Sequence, residues 1–338
     1  MMKTFTAALA LVLSAATAGA DPAGLRPTKI DMPHHGHRTG MAIWYPNGGG
    51  GDRTIFAENG VFQGIDAAIW AGIAPGKHPV VLFSHGMGGS YRAQSWLAAG
   101  LAERGAIVLA VNHPNSTWTD FDMSKGVRHW TRAQDLTAAL DAVIADPAFA
   151  DHLDLSRVMA AGFSFGGWTA LSLGGIRGNH AGIVARCRED TDALQACDML
   201  LSPRVNVQGI DPEIWNADYS DARVRHVVAI DPGLVWGLEA ADVAGLVPTT
   251  TLIGFGSGAD RMLATDFDTS GLATLMPAAH KRNFDPAFHF TAMPLCKPEG
   301  AAILEAERDD PVCTDPEGTD RAAIHGAIID LLAKELGL

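Results

Sequence analysis

Val158-Met159-Ala160-Ala161-Gly162-Phe163-Ser164-Phe165-Gly166-Gly167-Trp168 is an apolar run that breaks into Gly-x-Ser-x-Gly and then into residues suited to a helix. The apolar half predicts a buried strand. Joining it to a helix through a single serine makes a turn so tight that the residues two before and two after that serine must be tiny. Gly162 and Gly166 meet that demand. The turn raises the Ser164 hydroxyl above the sheet edge and leaves the Phe165 N–H, at the start of a helix, facing the same space. Without further parts, the pattern would be only a strand-to-helix turn with a solvated serine.

Working outward from this stretch, the alternation of strand and helix repeats. Upstream, Pro79 to Ser84 reads as a continuous apolar strand, Tyr91 to Arg104 as a helix, and Ala106 to Val111 as another buried strand. A polar loop (Asn115 to Lys125) and a helix from about Val127 to Ile144 lead into the quoted strand. Downstream, Val224 to Ile230 and Thr249 to Ile253 are β-branched and apolar, and an amphipathic helix runs from about Arg321 to Leu336. Such alternation predicts right-handed crossovers, hence an α/β fold with a mainly parallel central sheet flanked by helices. Met41 to Pro46 adds a strand before a glycine turn (Gly48 to Gly51). Thr54 to Ile73 carries Phe56, Phe62 and Trp70 with little periodicity, and reads as an excursion near the top of the sheet. The alternation stops over 176–222, a length beyond ordinary connections, so this segment is expected to be an insertion after the nucleophile helix. Two roles stay open for it: a lid or pocket wall, and a peripheral decoration. The expected organisation is one domain over 21–338 with that insertion.

Composition narrows the function classes. The chain has 338 residues and 47% hydrophobic content, enough for a large core. Lys3, the apolar stretch from Phe5 to Ala16 and the small residues Ala18-Gly19-Ala20 read as an export signal cleaved near Ala20, so a secreted or periplasmic protein is expected. No later apolar run is long enough to span a bilayer. The formal charge is −13, and Lys and Arg are scattered without a basic stripe, which argues against nucleic acid as a partner. An exported chain meets an oxidising compartment, where four cysteines predict two disulfides. Of the three pairings, Cys187 with Cys197 and Cys296 with Cys313 is preferred, because each closes a short polar loop.

Acyl transfer by a serine needs a base, a carboxylate to orient the base, and two donors where the carbonyl oxygen becomes negative. Reactive groups in such sheets gather just past the carboxyl ends of strands. His289 follows the last expected strand and precedes the last helix, and is the candidate base. His34, His35 and His37 precede the expected sheet and read as a solvated cluster, open at most to adventitious metal. His325 sits on the last helix as a structural residue. His85 and His113 end strands but come before Ser164, which breaks the Ser, Asp, His order. Asp231 ends a strand at Asp231-Pro232, and Asp260 follows the next strand on a glycine loop; Asp231 is preferred because a strand terminus fixes it directly. The second oxyanion donor is expected in Ser84-His85-Gly86-Met87-Gly88-Gly89, with the Met87 N–H paired to that of Phe165. Phe163, Trp168, Phe290 and Trp118 are candidates for an apolar acyl pocket.

Four runs, Ser-His-Gly-Met-Gly-Gly, Gly-Phe-Ser-Phe-Gly-Gly, Ala-Ile-Asp-Pro and Phe-His-Phe, resemble the platelet-activating-factor acetylhydrolase, chlorophyllase and dienelactone-hydrolase-like branch of the α/β-hydrolases. The likeness spans about Trp44 to Leu336 and is strongest to exported bacterial members. It implies a hydrolase of small-molecule or lipid-like carboxylic esters with no metal or organic cofactor, and an acid on the strand ending in Asp-Pro, which supports Asp231. True dienelactone hydrolases use a cysteine nucleophile, so Ser164 speaks against that reaction. Phe163 stands where relatives often carry histidine, and the segment 176–222 has no counterpart in them. The expectation is a Ser164–Asp231–His289 esterase working through an acyl-enzyme. The same residues would also serve an amidase or peptidase or an acyltransferase, and a non-catalytic hydrolase-fold binding protein is the alternative of another class.

Overall fold

The computed structural model describes residues 21–191, 194 and 196–338; the expected export signal over 1–20 lies outside the described residues. Among the described residues, strands β1 (Gly24–Met32), β2 (His37–Tyr45), β3 (Asp52–Phe56), β4 (Ile65–Ile69), β5 (His78–Ser84), β6 (Ile107–Val111), β7 (Leu153–Phe163), β8 (Val224–Ile230), β9 (Thr249–Phe255) and β10 (His280–Phe284) form one sheet. Their spatial order is β10-β9-β8-β7-β5-β6-β2-β1-β4-β3. Every pairing from β6 across to β10 is parallel, whereas β2 runs antiparallel to β6 and to β1.

The parallel part is parallel because helices cross over both faces, and its strands are apolar on both sides for the same reason. Val80 and Leu82 of β5 face one core, shared with Leu136 and Leu140 of the helix His129–Ala145 and with Leu171 of the helix Phe165–Leu173. Val81 and Phe83 face the other, shared with Leu97 and Leu101 of the helix Ser95–Glu103 and with Ile328 and Leu332 of the helix Arg321–Glu335. The same two-residue alternation runs through β6, where Ile107 and Leu109 face the first core and Val108 the second. Each buried aliphatic side chain of this kind contributes roughly 1.5–3 kcal/mol of burial.

Four strands differ from the sequence reading. β1 contains Pro27 and a mixed burial pattern, and becomes a strand because its whole length pairs with β2. β3 and β4, in the stretch taken for an excursion, form an antiparallel pair that extends the sheet beyond β1. β10, His-Lys-Arg-Asn-Phe, is polar and mostly exposed, and is held by its ladder to β9 and by Phe284 in the second core. Edge strands are specified by backbone pairing more than by a hydrophobic face, which is why the pattern misses them. One consequence is a correction to the histidine cluster: His34 and His35 do not precede the sheet but lie in the β1–β2 hairpin turn, and both imidazoles reach the buried Asp135. His37, at the start of β2, is exposed in the way expected of a solvated cluster.

The segment 176–222 lies between the helix Phe165–Leu173 and β8 and holds the helices His180–Glu189, Cys197–Leu201 and Pro212–Trp215. Ile183, Leu200 and Trp215 join the first core, Trp215 edge-on to His129 at 4.7 Å. Disulfides join Cys187 to Cys197 and Cys296 to Cys313. No helix among the described residues is long and apolar enough to cross a membrane.

Candidate active site

Ser164 caps the helix Phe165–Leu173 with φ +58° and ψ −124°, a conformation an L-residue holds at a cost of about 1–3 kcal/mol. Its neighbours explain how the turn closes. A Cβ on Gly162 would come within 2.1 Å of the Gly166 carbonyl oxygen, and one on Gly166 within 2.0 Å of that of Ser84. The turn is also tied sideways: the Ser164 N–H donates to Ile230 O at 2.9 Å and the Gly233 N–H to Ser164 O at 3.0 Å, continuing the β7–β8 ladder past the strand ends. The hydroxyl is therefore held at the carboxyl edge of the sheet.

His289 reaches Ser164 from the short 3₁₀ turn His289–Ala292. Its Nε2 lies 3.1 Å from Ser164 Oγ, and its Nδ1 lies 2.6 Å from Asp231 Oδ2. An Nδ1–H donated to the carboxylate leaves the Nε2 lone pair for the hydroxyl proton. The turn is anchored from behind, since Trp96 Nε1–H donates to Ala292 O at 3.0 Å and His325 Nε2–H to Thr291 O at 2.8 Å. Thr291 Oγ1 also donates to Asp315 Oδ1 at 2.8 Å, and Asp315 in turn accepts from Arg321. The His325 ring stacks on Trp96 at 3.7 Å, and burial pulls its pKa down to about 4. It is a neutral strut at ordinary pH.

Asp231, fully buried at the end of β8, is surrounded by donors. Arg261 Nη1 donates to Oδ1 at 2.6 Å and Thr265 Oγ1 to Oδ2 at 2.7 Å, so the carboxylate that faces His289 is fixed from three sides. Asp260, the other candidate, is exposed, and its neighbour Arg261 is the residue that turns inward. Arg261 and Thr265 were not singled out by the sequence. Neither has a strand-end position or a motif, and their role exists only because the β9 loop folds back over β8.

The loop after β5 lies beside the serine: a Cβ on Gly86 would sit 3.2 Å from Ser164 Cβ. Beneath this loop is a buried polar array centred on Arg132, which is 1% exposed. Its guanidinium donates to His85 O, to Ser84 Oγ at 3.1 Å, to Ser116 Oγ at 2.5 Å and to Thr169 Oγ1 at 3.1 Å, and lies 4.9 Å from the Phe165 ring. One side chain thus clamps the Met87 loop, the loop that carries Ser116, and the helix that begins at Phe165. Ser84 Oγ is also 2.9 Å from His113 Nε2, and His113 Nδ1 is 2.8 Å from Asp135 Oδ2. Burial pulls Arg132 down to about 9 and His113 down to about 4. Burial alone would raise the Asp135 carboxyl, but the hydrogen bonds with His113 and His34, with the His35 imidazole 3.1 Å away, outweigh it and hold the group well below the usual carboxylate range. The array is therefore a charged guanidinium and carboxylate joined through a neutral imidazole.

The structure brings Ser164, His289 and Asp231 together, with Phe165 and the Met87 loop beside them, and leaves Asp260 outside. The expected pocket aromatics divide. Phe290 is partly buried with its ring 5.2 Å from that of His289. Trp118 is 69% exposed beside the Met87 loop, where its N–H donates to Gly89 O at 3.2 Å. Phe163 is buried under the imidazole at 4.6 Å and supports it instead of lining open space. Trp168 is corrected outright: one turn beyond the serine its side chain is buried in the first core, edge-on to His129, on a helix whose every residue is buried. The segment 176–222 meets the loop after Asp231 through Arg186, whose guanidinium lies 4.6 Å from the ring of Trp236.

Residues 79–180 match the family described as the α/β hydrolase fold. No curated protein matches the chain in sequence. Among solved structures, a ferulic acid esterase from Streptomyces cinnamoneus is 20% identical, with 94% of this chain and 90% of that chain covered and a TM-score of 0.56. A dienelactone hydrolase-like promiscuous phosphotriesterase from metagenomic libraries is 18% identical, with 92% and 98% covered and a TM-score of 0.51. At such identities the likeness is one of fold, and the chain has the α/β-hydrolase fold.

Proposed function

We propose that this α/β-hydrolase-fold chain is a serine hydrolase of carboxylic esters that works through an acyl-enzyme. The observation that supports the reading most is the continuous line from Ser164 Oγ through both nitrogens of His289 to Asp231, set on a strained turn at the sheet edge. In the first step His289 Nε2 takes the hydroxyl proton while Oγ bonds to the ester carbonyl carbon. The carbonyl oxygen becomes an anion facing the N–H groups of Phe165 and Met87, donors worth on the order of 3 kcal/mol each to the transition state. The imidazolium, stabilised by Asp231, returns the proton to the departing alkoxide, which leaves as the alcohol. Water then repeats the sequence on the acyl-serine and releases the acid.

Arg261 and Thr265 are positioning residues in this scheme, because they hold the Asp231 carboxylate in the orientation His289 needs. Phe290, beside His289, and the exposed Trp118, tied to the loop after β5, are the apolar contacts this reading assigns to a small-molecule or lipid-like ester. Export is part of the proposal, resting on the residues before Asp21 and on two disulfides suited to an oxidising compartment. Hydrolysis of short-chain p-nitrophenyl esters by the wild-type chain, with Ser164→Ala reduced by about five to six orders of magnitude in kcat, is the expected result. Equal turnover by the two proteins would end the proposal.

A further inference from the structure

The β1–β2 hairpin turn, Pro33-His34-His35-Gly36, sets two adjacent imidazoles over one carboxylate oxygen. His34 Nε2 lies 2.7 Å and His35 Nε2 3.1 Å from Asp135 Oδ1, and the three atoms all lie within 4.8 Å of one another. Asp135 is fully buried on the helix His129–Ala145, and its other oxygen is committed to His113 Nδ1 at 2.8 Å. His35 Nε2 is buried yet makes no hydrogen bond, since it is near Oδ1 without being aligned to donate to it. A buried polar nitrogen in that state is unfavourable, and an ion shared by the three atoms would supply its missing partner.

We propose that His34, His35 and Asp135 bind a divalent transition metal ion, with Zn²⁺ or Cu²⁺ as the chemical class. Two imidazole nitrogens and one carboxylate oxygen form a donor set that borderline ions favour over Mg²⁺ or Ca²⁺, which take oxygen. At metal–ligand distances of about 2.0–2.2 Å, His34 Nε2 and Asp135 Oδ1, which lie 2.7 Å apart, have to open by roughly half an ångström. A hairpin turn that also carries Gly36, at φ +71°, is a segment able to make that shift. A fourth position is left for water or for His37, whose ring lies 5.7 Å from that of His35. His113 supplies the outer shell by orienting Asp135 through its second oxygen, as metal-bound carboxylates are commonly held. The ion is a staple between the amino-terminal hairpin and the buried Arg132 array, and the proposal is independent of any esterase activity.

The test uses the untagged full chain, freed of metal by dialysis against chelator and titrated calorimetrically with ZnCl₂ and separately with CuCl₂. One equivalent per chain is expected, with a rise in Tm that grows with free metal. His34→Gln and His35→Gln should each weaken binding at least about tenfold. His34 is partly exposed, so its variant is expected to keep the circular dichroism spectrum of the wild type. Absence of a stoichiometric site for either ion, or a His34→Gln/His35→Gln double variant that binds as tightly as wild type, would overturn the assignment.

Discussion

Two serine–histidine–aspartate arrays sit on neighbouring strands of this sheet. In the proposed catalytic array, the serine–imidazole and imidazole–carboxylate distances are 3.1 and 2.6 Å; in the buried one, Ser84–His113–Asp135, they are 2.9 and 2.8 Å. Ser84 pairs in register with Gly162, two residues before Ser164. The chemistry of the three side chains is the same, so hydrogen bonding alone does not mark a nucleophile. Backbone and surroundings separate them. Ser164 stands on a turn at positive φ, partly accessible, with backbone N–H groups beside it. Ser84 ends a regular strand, is fully buried, and its oxygen already accepts from Arg132, so no carbonyl carbon has room to approach. The second array acts as a rivet that sets where the Met87 loop lies relative to Phe165.

The largest test of this contrast exchanges the two carboxylates for amides. Asp231→Asn presents the wrong partner to His289 and leaves the Arg261 guanidinium without its carboxylate, so kcat is expected to fall about 10⁴-fold and the urea midpoint to fall with it, while Asp260→Asn leaves turnover at the wild-type level. Asp135→Asn should separate the two effects. It removes the acceptor of His113 and His34 in the buried array, so unfolding becomes easier while kcat per folded molecule stays within tenfold. A fall in kcat per folded molecule as large in Asp135→Asn as in Asp231→Asn would erase the distinction.

Arg132→Met, measured in the same two assays, sharpens it. Removing the guanidinium leaves Ser84, Ser116, Thr169 and His85 O without their donor, and a loss of about 3 kcal/mol in stability is expected. The loop carrying Met87 loosens with it, so kcat should fall by about tenfold while KM changes less. An unaltered kcat in the folded variant would mean that the array supports the sheet but not the loop.

The effect expected on stability alone lies behind the proposed catalytic array. His325 has its pKa lowered to about 4 by burial, against about 6.5 in the unfolded chain, so below pH 6.5 the unfolded state takes up a proton that the native state refuses. This contribution to stability is present above pH 6.5 and is lost as the pH falls towards 4, reaching about 3 kcal/mol. His325→Gln should flatten the acid limb of a urea-midpoint profile between pH 6.5 and pH 4. An unchanged slope would remove His325 as the strut behind His289.

Much of this was legible in the chain. The parallel strands are long enough and apolar enough on both faces to be read as runs, and the Gly162 and Gly166 spacing follows from close approach within a few residues. Ser164, Asp231 and His289 each stand just past a strand or before a helix, positions that local pattern marks. The polar edge strand β10 and the weakly patterned β1, β3 and β4 were not legible, because a partner strand's backbone holds them. Trp168 belongs to the core because its helix is enclosed on every side by tertiary packing, which local pattern does not show. Arg261, Thr265 and Arg132 carry no local signal of any kind.

Sequence alone determined the alternation of strands and helices, the glycine turn and the order of the reactive residue types, since each depends on sterics and hydrophobicity over a few neighbouring positions. Tertiary structure alone decided which aspartate faces His289, and that a second serine–histidine–aspartate set is sealed beneath the first. Those outcomes depend on side chains distant in the chain meeting in a low-dielectric interior, where a buried charge is tolerated only when its partners arrive with it.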